Sequence, residues 1–285
     1  MKKLSIGRTI GDTFIIYFKS LPSLFKNNWA LLLAVALINA AIIFYFKDHL
    51  GVGSFSPPEH VDHIAHCFQL VMMVPIIASF LLAGYTYRYV VNKENKPLGI
   101  GGIYVNMPLI KMLVSLALVW LFLFIIFALI SSVVSLIVNM TTGLVLVYDL
   151  PYFAQSLKAL SANYLEMAMT GVILLIGIIF IIFLRIRLLL VAPYSFLHNE
   201  IAVLKITSFT KGNVWRILIA SIVISIIYGI GIFLIQSMLG HDLHWIKDPM
   251  HLMLVGALYG LIFLVLSYLN AVFLSVMYKR LVTEK

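Results

Sequence analysis

Six runs of almost unbroken apolar residues divide the chain: Trp29–Phe46, Phe68–Tyr87, Met112–Ile137, Met167–Leu184, Ile217–Leu239 and Leu252–Met277. None holds an Asp, Glu, Lys or Arg. A helix needs roughly 20 apolar residues to cross a bilayer core, whereas barrel strands read as segments of about ten with alternating polarity. Solid runs of this length predict helices. With their flanks they give six transmembrane helices at about 29–46, 68–91, 109–138, 165–192, 215–239 and 251–278. The fold class expected is an all-α integral membrane protein forming a single membrane domain over residues 1–285.

Between the runs the pattern changes period. In Leu4–Leu24, Ile6, Ile10, Phe14, Phe18 and Leu21 recur at spacings of three and four, with Arg8, Asp12 and Lys19 between them. Residues 1–28 therefore read as an amphipathic segment lying in the membrane interface. Asn199–Lys211 shows a similar alternation, with Ile201, Leu204 and Phe209 set against Glu200, Lys205 and Lys211, and predicts a second interfacial helix. Pro193 reads as a helix terminator after the fourth span.

Composition agrees: 62% of the 285 residues are hydrophobic and 11% charged, with a mean hydropathy of +1.07. Such a chain needs the lipid bilayer as its solvent and principal partner. The net charge of +9 does not point to nucleic acid, because the basic residues flank the spans and form no polar domain. Seventeen of the twenty Lys and Arg fall on the side that carries both termini; Lys47, Lys158 and Lys247 fall on the other. The positive-inside rule then places both termini in the cytoplasm. The start of the chain, basic but without a short apolar core and cleavage site, predicts a retained first span.

The segment Arg185-Ile-Arg-Leu-Leu-Leu-Val-Ala-Pro193, then Glu200, Ile206-Thr-Ser208 and Lys211-Gly-Asn-Val-Trp-Arg216, resembles the YciC-like inner-membrane proteins. It is also similar to the membrane domain associated with some bacterial glycerophosphodiester phosphodiesterases. The resemblance implies an amphipathic lead-in and about six spans. It implies no activity to transfer, since in the fused proteins the hydrolase is a separate soluble domain.

Two sets of residues are candidates for chemistry. The first outer connection reads Pro58-Glu-His-Val-Asp-His-Ile-Ala-His-Cys67, and the third adds His241, Asp242 and His244. On a helix His60, His63, His66 and Cys67 share spacings of three and four. Imidazole and thiolate suit Zn or Cu, so His60, His63, His66, Cys67, His241 and His244 form a candidate metal site. Solvated loop histidines are the plainer alternative. The second set is Arg88, Arg185, Arg187 and Arg216, at the cytoplasmic ends of spans, where guanidinium groups contact lipid phosphate or simply snorkel.

The absences also bear on function. Span interiors free of ionisable residues argue against a proton-relay pump, and no P-loop is present. No catalytic triad is discernible and only His198 lies on the inner side, so no catalytic residues are assigned. The expected function is a non-enzymatic multi-pass membrane protein in envelope or lipid organisation, or an accessory or passive transport component. A metal-handling protein using the outer histidines is the alternative, and a metal-dependent hydrolase a third. Gly256-x-x-x-Gly260 predicts a close helix contact, within one chain or in a homo-oligomer. Asn39, Gln236 and Asn270 predict interhelical hydrogen bonds.

Overall fold

The structure is a computed structural model, and it describes residues 3–46, 58–142, 164–242 and 249–283. Nine α-helices are described: α1 (Ile6–Asn27), α2 (Trp29–Tyr45), α3 (Pro58–Tyr87), α4 (Met107–Thr142), α5 (Tyr164–Leu188), α6 (Val191–His198), α7 (Thr207–Thr210), α8 (Val214–Asp242) and α9 (Pro249–Tyr278). No strand occurs among the described residues. Five helical segments are long and apolar enough to cross a membrane, and α1 with α2 forms a sixth that is bent by 80°. The chain is an all-α membrane protein.

The bend separates two kinds of helix. The interface segment α1 has a strong apolar-to-polar asymmetry, whereas α2 is apolar all round, as a buried or spanning helix must be. Thr9, Thr13, Tyr17, Ser20, Leu24 and Asn27 of α1 face the bundle. Phe18 and Phe25 are exposed on another side, and Arg8, Lys19 and Lys26 lie on a third side of the same helix. This arrangement fits a helix lying flat, with the bundle on one flank, lipid on the other and charges toward water.

At the corner, the Asn28 N–H and side-chain amide both donate to the Leu24 carbonyl, at 3.0 and 3.1 Å. The N–H groups opening a helix have no partner of their own. One of those in α2, on Leu31, donates to the Gly101 carbonyl at 3.1 Å. Gly101 and Gly102 reach this corner at φ +57° and +93°, a region that side chains disfavour. A Cβ on Gly102 would run into Asn28.

Helix α9 is the axis of the bundle. It packs against α1, α2, α3, α6 and α8, and 67% of its apolar window is enclosed, against 17% for α4, α5 and α8. Gly256 and Gly260 give α2 its close approach, facing Val35, Asn39 and Ile43. The small-residue seam is thus used within one chain. Asn39 is fully buried there, yet both of its amide atoms lack a hydrogen-bond partner, contrary to the interhelical bond expected of it.

One end of the bundle gathers the chain termini. Asp12 pairs with Arg280, Lys279 donates to the Val90 carbonyl at 3.5 Å, and Lys111 to the Asn199 carbonyl at 2.8 Å. The Leu4 N–H donates to Asn213 Oδ1 and its carbonyl accepts from Arg216 Nη1, each at 2.8 Å. The expected helix over Asn199–Lys211 is reduced to the single turn of α7. Asn199 ends α6 in the left-handed region at φ +51°, and Gly212 turns the chain into α8 at φ +78°. Pro193 sits in the first turn of α6, where a missing N–H costs nothing.

Candidate lateral lipid site

A cavity of about 310 Å³ lies between α3, α4, α5, α6, α8 and α9. Its wall is mainly apolar, with Phe80, Met112, Phe263 and Leu274 among its members and Trp120 at an exposed position. Six polar side chains interrupt that wall: Ser79, Tyr87, Arg185, Tyr228, Ser267 and Asn270. Helical register explains the grouping. Phe263, Ser267, Asn270, Ala271 and Leu274 recur at three and four along α9 and share one face.

Some of these polar groups are already satisfied. Ser79 Oγ donates to the Ile76 carbonyl at 2.6 Å, as a helical serine often does. The Tyr228 ring packs edge-on to Phe263 at 6.2 Å. Arg185, Ser267 and Asn270 make no side-chain hydrogen bond or ion pair among the described residues. Arg185 and Asn270 are exposed and Ser267 is half-buried. An amide facing hydrocarbon without a partner costs several kcal/mol, roughly 2–7 by transfer measurements.

The four candidate arginines have different surroundings. Arg88 lies between Glu94, at 3.9 Å, and the Phe196 ring, at 5.9 Å. Arg187 stacks over Phe183 at 5.0 Å, and its Nε is enclosed without a hydrogen bond. Arg216 is committed to Leu4. Residues two apart on a helix point to nearly opposite sides, so Arg185 alone of the α5 pair lines the cavity. Nothing in its sequence neighbourhood distinguishes it from Arg187. The Ser267–Asn270 pair was legible only as two polar residues three apart in a charge-free span.

The outer metal candidates are less fully placed. His244 lies outside the described residues, as do the side chains of His60, His63 and His241. His66 is exposed. Cys67 turns the other way and is buried with Ile43, Phe46, Val71 and Tyr259. That burial pushes its thiol up to about 11. Among the described residues no three His, Cys, Asp or Glu side chains converge.

Comparisons of the chain with protein-family models, with curated proteins and with solved structures each return no match.

Proposed function

We propose that this chain is a non-enzymatic bacterial inner-membrane protein with cytoplasmic termini that holds a membrane lipid in its lateral cavity, serving envelope or lipid organisation. The observation that carries the reading is the combination at the cavity: a mainly apolar wall, with Arg185, Ser267 and Asn270 on it and without side-chain partners among the described residues. An acyl chain suits the wall, and a guanidinium suits an anionic headgroup. The orientation rests on the seventeen-to-three distribution of basic residues.

The test is the lipid that copurifies with the protein. Anionic lipid enriched over the bulk membrane, and reduced in Arg185→Ala but not in Arg187→Ala, supports the reading. A lipid profile equal to the bulk membrane in all three proteins overturns it.

A further inference from the structure

We infer that the cavity selects an ester-linked anionic glycerophospholipid, with Arg185 on the phosphate and Asn270, assisted by Ser267, reading the ester carbonyls. The inference rests on the lipid-binding reading and adds the chemical class of the ligand and the residues that choose it. Its starting point is vertical position. Lys279 and Arg280 follow directly on α9 and mark the water-facing end of that helix. Asn270 lies about 12 Å inside the helix from Tyr278, and Ser267 about 4.5 Å deeper, at 1.5 Å per residue. A headgroup layer is roughly 5–8 Å thick, the difference between the bilayer with and without it. The interfacial helix α1 touches the same stretch of α9, through Tyr17 to the Val265 carbonyl and Ser20 to Tyr268, so Ser267 and Asn270 stand at the headgroup–chain boundary, where the ester groups lie. Arg185 is three residues from the end of α5, and a long basic side chain near a helix end can extend to the interface.

The hydrogen-bonding inventory narrows the ligand. An asparagine amide offers two donors and a serine hydroxyl one, and ester carbonyls are acceptors. A fatty acid brings one carboxylate, which Arg185 takes, and leaves Asn270 facing hydrocarbon. A neutral glycerolipid satisfies Asn270 and leaves Arg185 without a counter-ion. An anionic diester lipid satisfies both levels. The cavity offers 310 Å³ of space. That holds the ester region and part of one chain, and leaves the other chain in the bilayer.

The experiment uses the purified full-length protein, with binding read by native mass spectrometry. Three probes are titrated: a diester phosphatidylglycerol, its diether analogue with the same headgroup and chains, and oleate. The diester is expected to bind about three- to tenfold tighter than the diether, the worth of one hydrogen bond at membrane depth. Asn270→Leu is expected to abolish that gap. Ser267→Ala, a smaller change that tests the same gap should Asn270→Leu misfold, is expected to narrow it. Arg185→Ala is expected to weaken diester and diether together. Equal affinity for diester and diether in the unmodified protein, or oleate binding as tightly as the diester, overturns the inference and leaves lipid binding standing. If none of the three probes binds above a neutral lipid, lipid binding itself falls.

Discussion

Asn39 of α2 packs directly against Gly260 of α9, its amide fully enclosed and without a hydrogen-bond partner. The two positions lie in a close seam between α2 and α9. A β-carbon on Gly260 would meet the Asn39 amide, and one on Gly256 would meet the Asn39 backbone carbonyl and Ile43.

Substitution at this seam should separate α2 from α9. Backbone gives less readily than a side-chain tip, so Gly256→Val is expected to destabilise more than Gly260→Ala. Overpacking of this kind costs about 1–3 kcal/mol. Gly229→Ala is the control, since nothing lies within contact of a β-carbon there. Thermal unfolding in detergent, followed by circular dichroism, measures all three.

Asn39 itself behaves unlike an ordinary core residue. Truncation of a buried side chain normally costs packing, but Asn39→Ala also removes an enclosed donor and acceptor that are unsatisfied, a relief of about 1–3 kcal/mol. The two effects oppose each other. The expected result is a stability within about 1 kcal/mol of the unmodified protein, read from the same unfolding curves.

The start of the chain is held by a clamp. Both backbone groups of Leu4 are taken by α8-side residues, Asn213 and Arg216. Asn213→Ala and Arg216→Ala each leave one buried backbone group of Leu4 without a partner, and the double variant releases the segment. Hydrogen exchange of residues 4–8 should rise in each single variant and rise further in the double, while the middle of α9 stays protected.

The segment after α6 carries a pH-dependent contact. Lys205 pairs with Glu200 at 2.9 Å. Hydrogen bonds from Lys205, then from Tyr194, hold the Glu200 carboxyl below its usual range. A depressed carboxylate value contributes stability that is complete above the unfolded carboxylate value, about 4.3. That contribution drains as pH falls through the depressed one. Hydrogen exchange over residues 199–206, corrected for intrinsic rates, should increase below that range in the unmodified protein. In Glu200→Gln it should be nearly independent of pH over the same interval. Both groups are exposed, so the effect stays local.

The motif Lys211-Gly-Asn-Val-Trp-Arg216 shows how unevenly a sequence discloses its contacts. Gly212 at positive φ and the start of a helix at Val214 follow from local chemistry. The partner of Asn213 and Arg216 does not, because Leu4 lies 209 and 212 residues away from them. The Asn199–Lys211 segment failed in the opposite direction. Its apolar spacing is helical, but Asn199 in the left-handed region and the turns that follow leave only Thr207–Thr210 as helix. Periodicity over so short a window competes poorly with chain reversals imposed at both ends.

The sequence alone determined what depends on each residue's own transfer energy. The apolar runs, the amphipathic lead-in of α1 and the crowding of basic residues near span ends are sums over neighbours in the chain, and no partner need be known to read them. Only the tertiary structure decided which polar groups find partners. It turned the Gly256–Gly260 seam onto α2 and left Asn39 enclosed. It committed Arg216 to Leu4 and stacked Arg187 on Phe183. It left Arg185, Ser267 and Asn270 together on one lateral cavity. Hydropathy is local and nearly additive, but the satisfaction of a hydrogen-bonding group depends on what the fold brings within 3 Å of it.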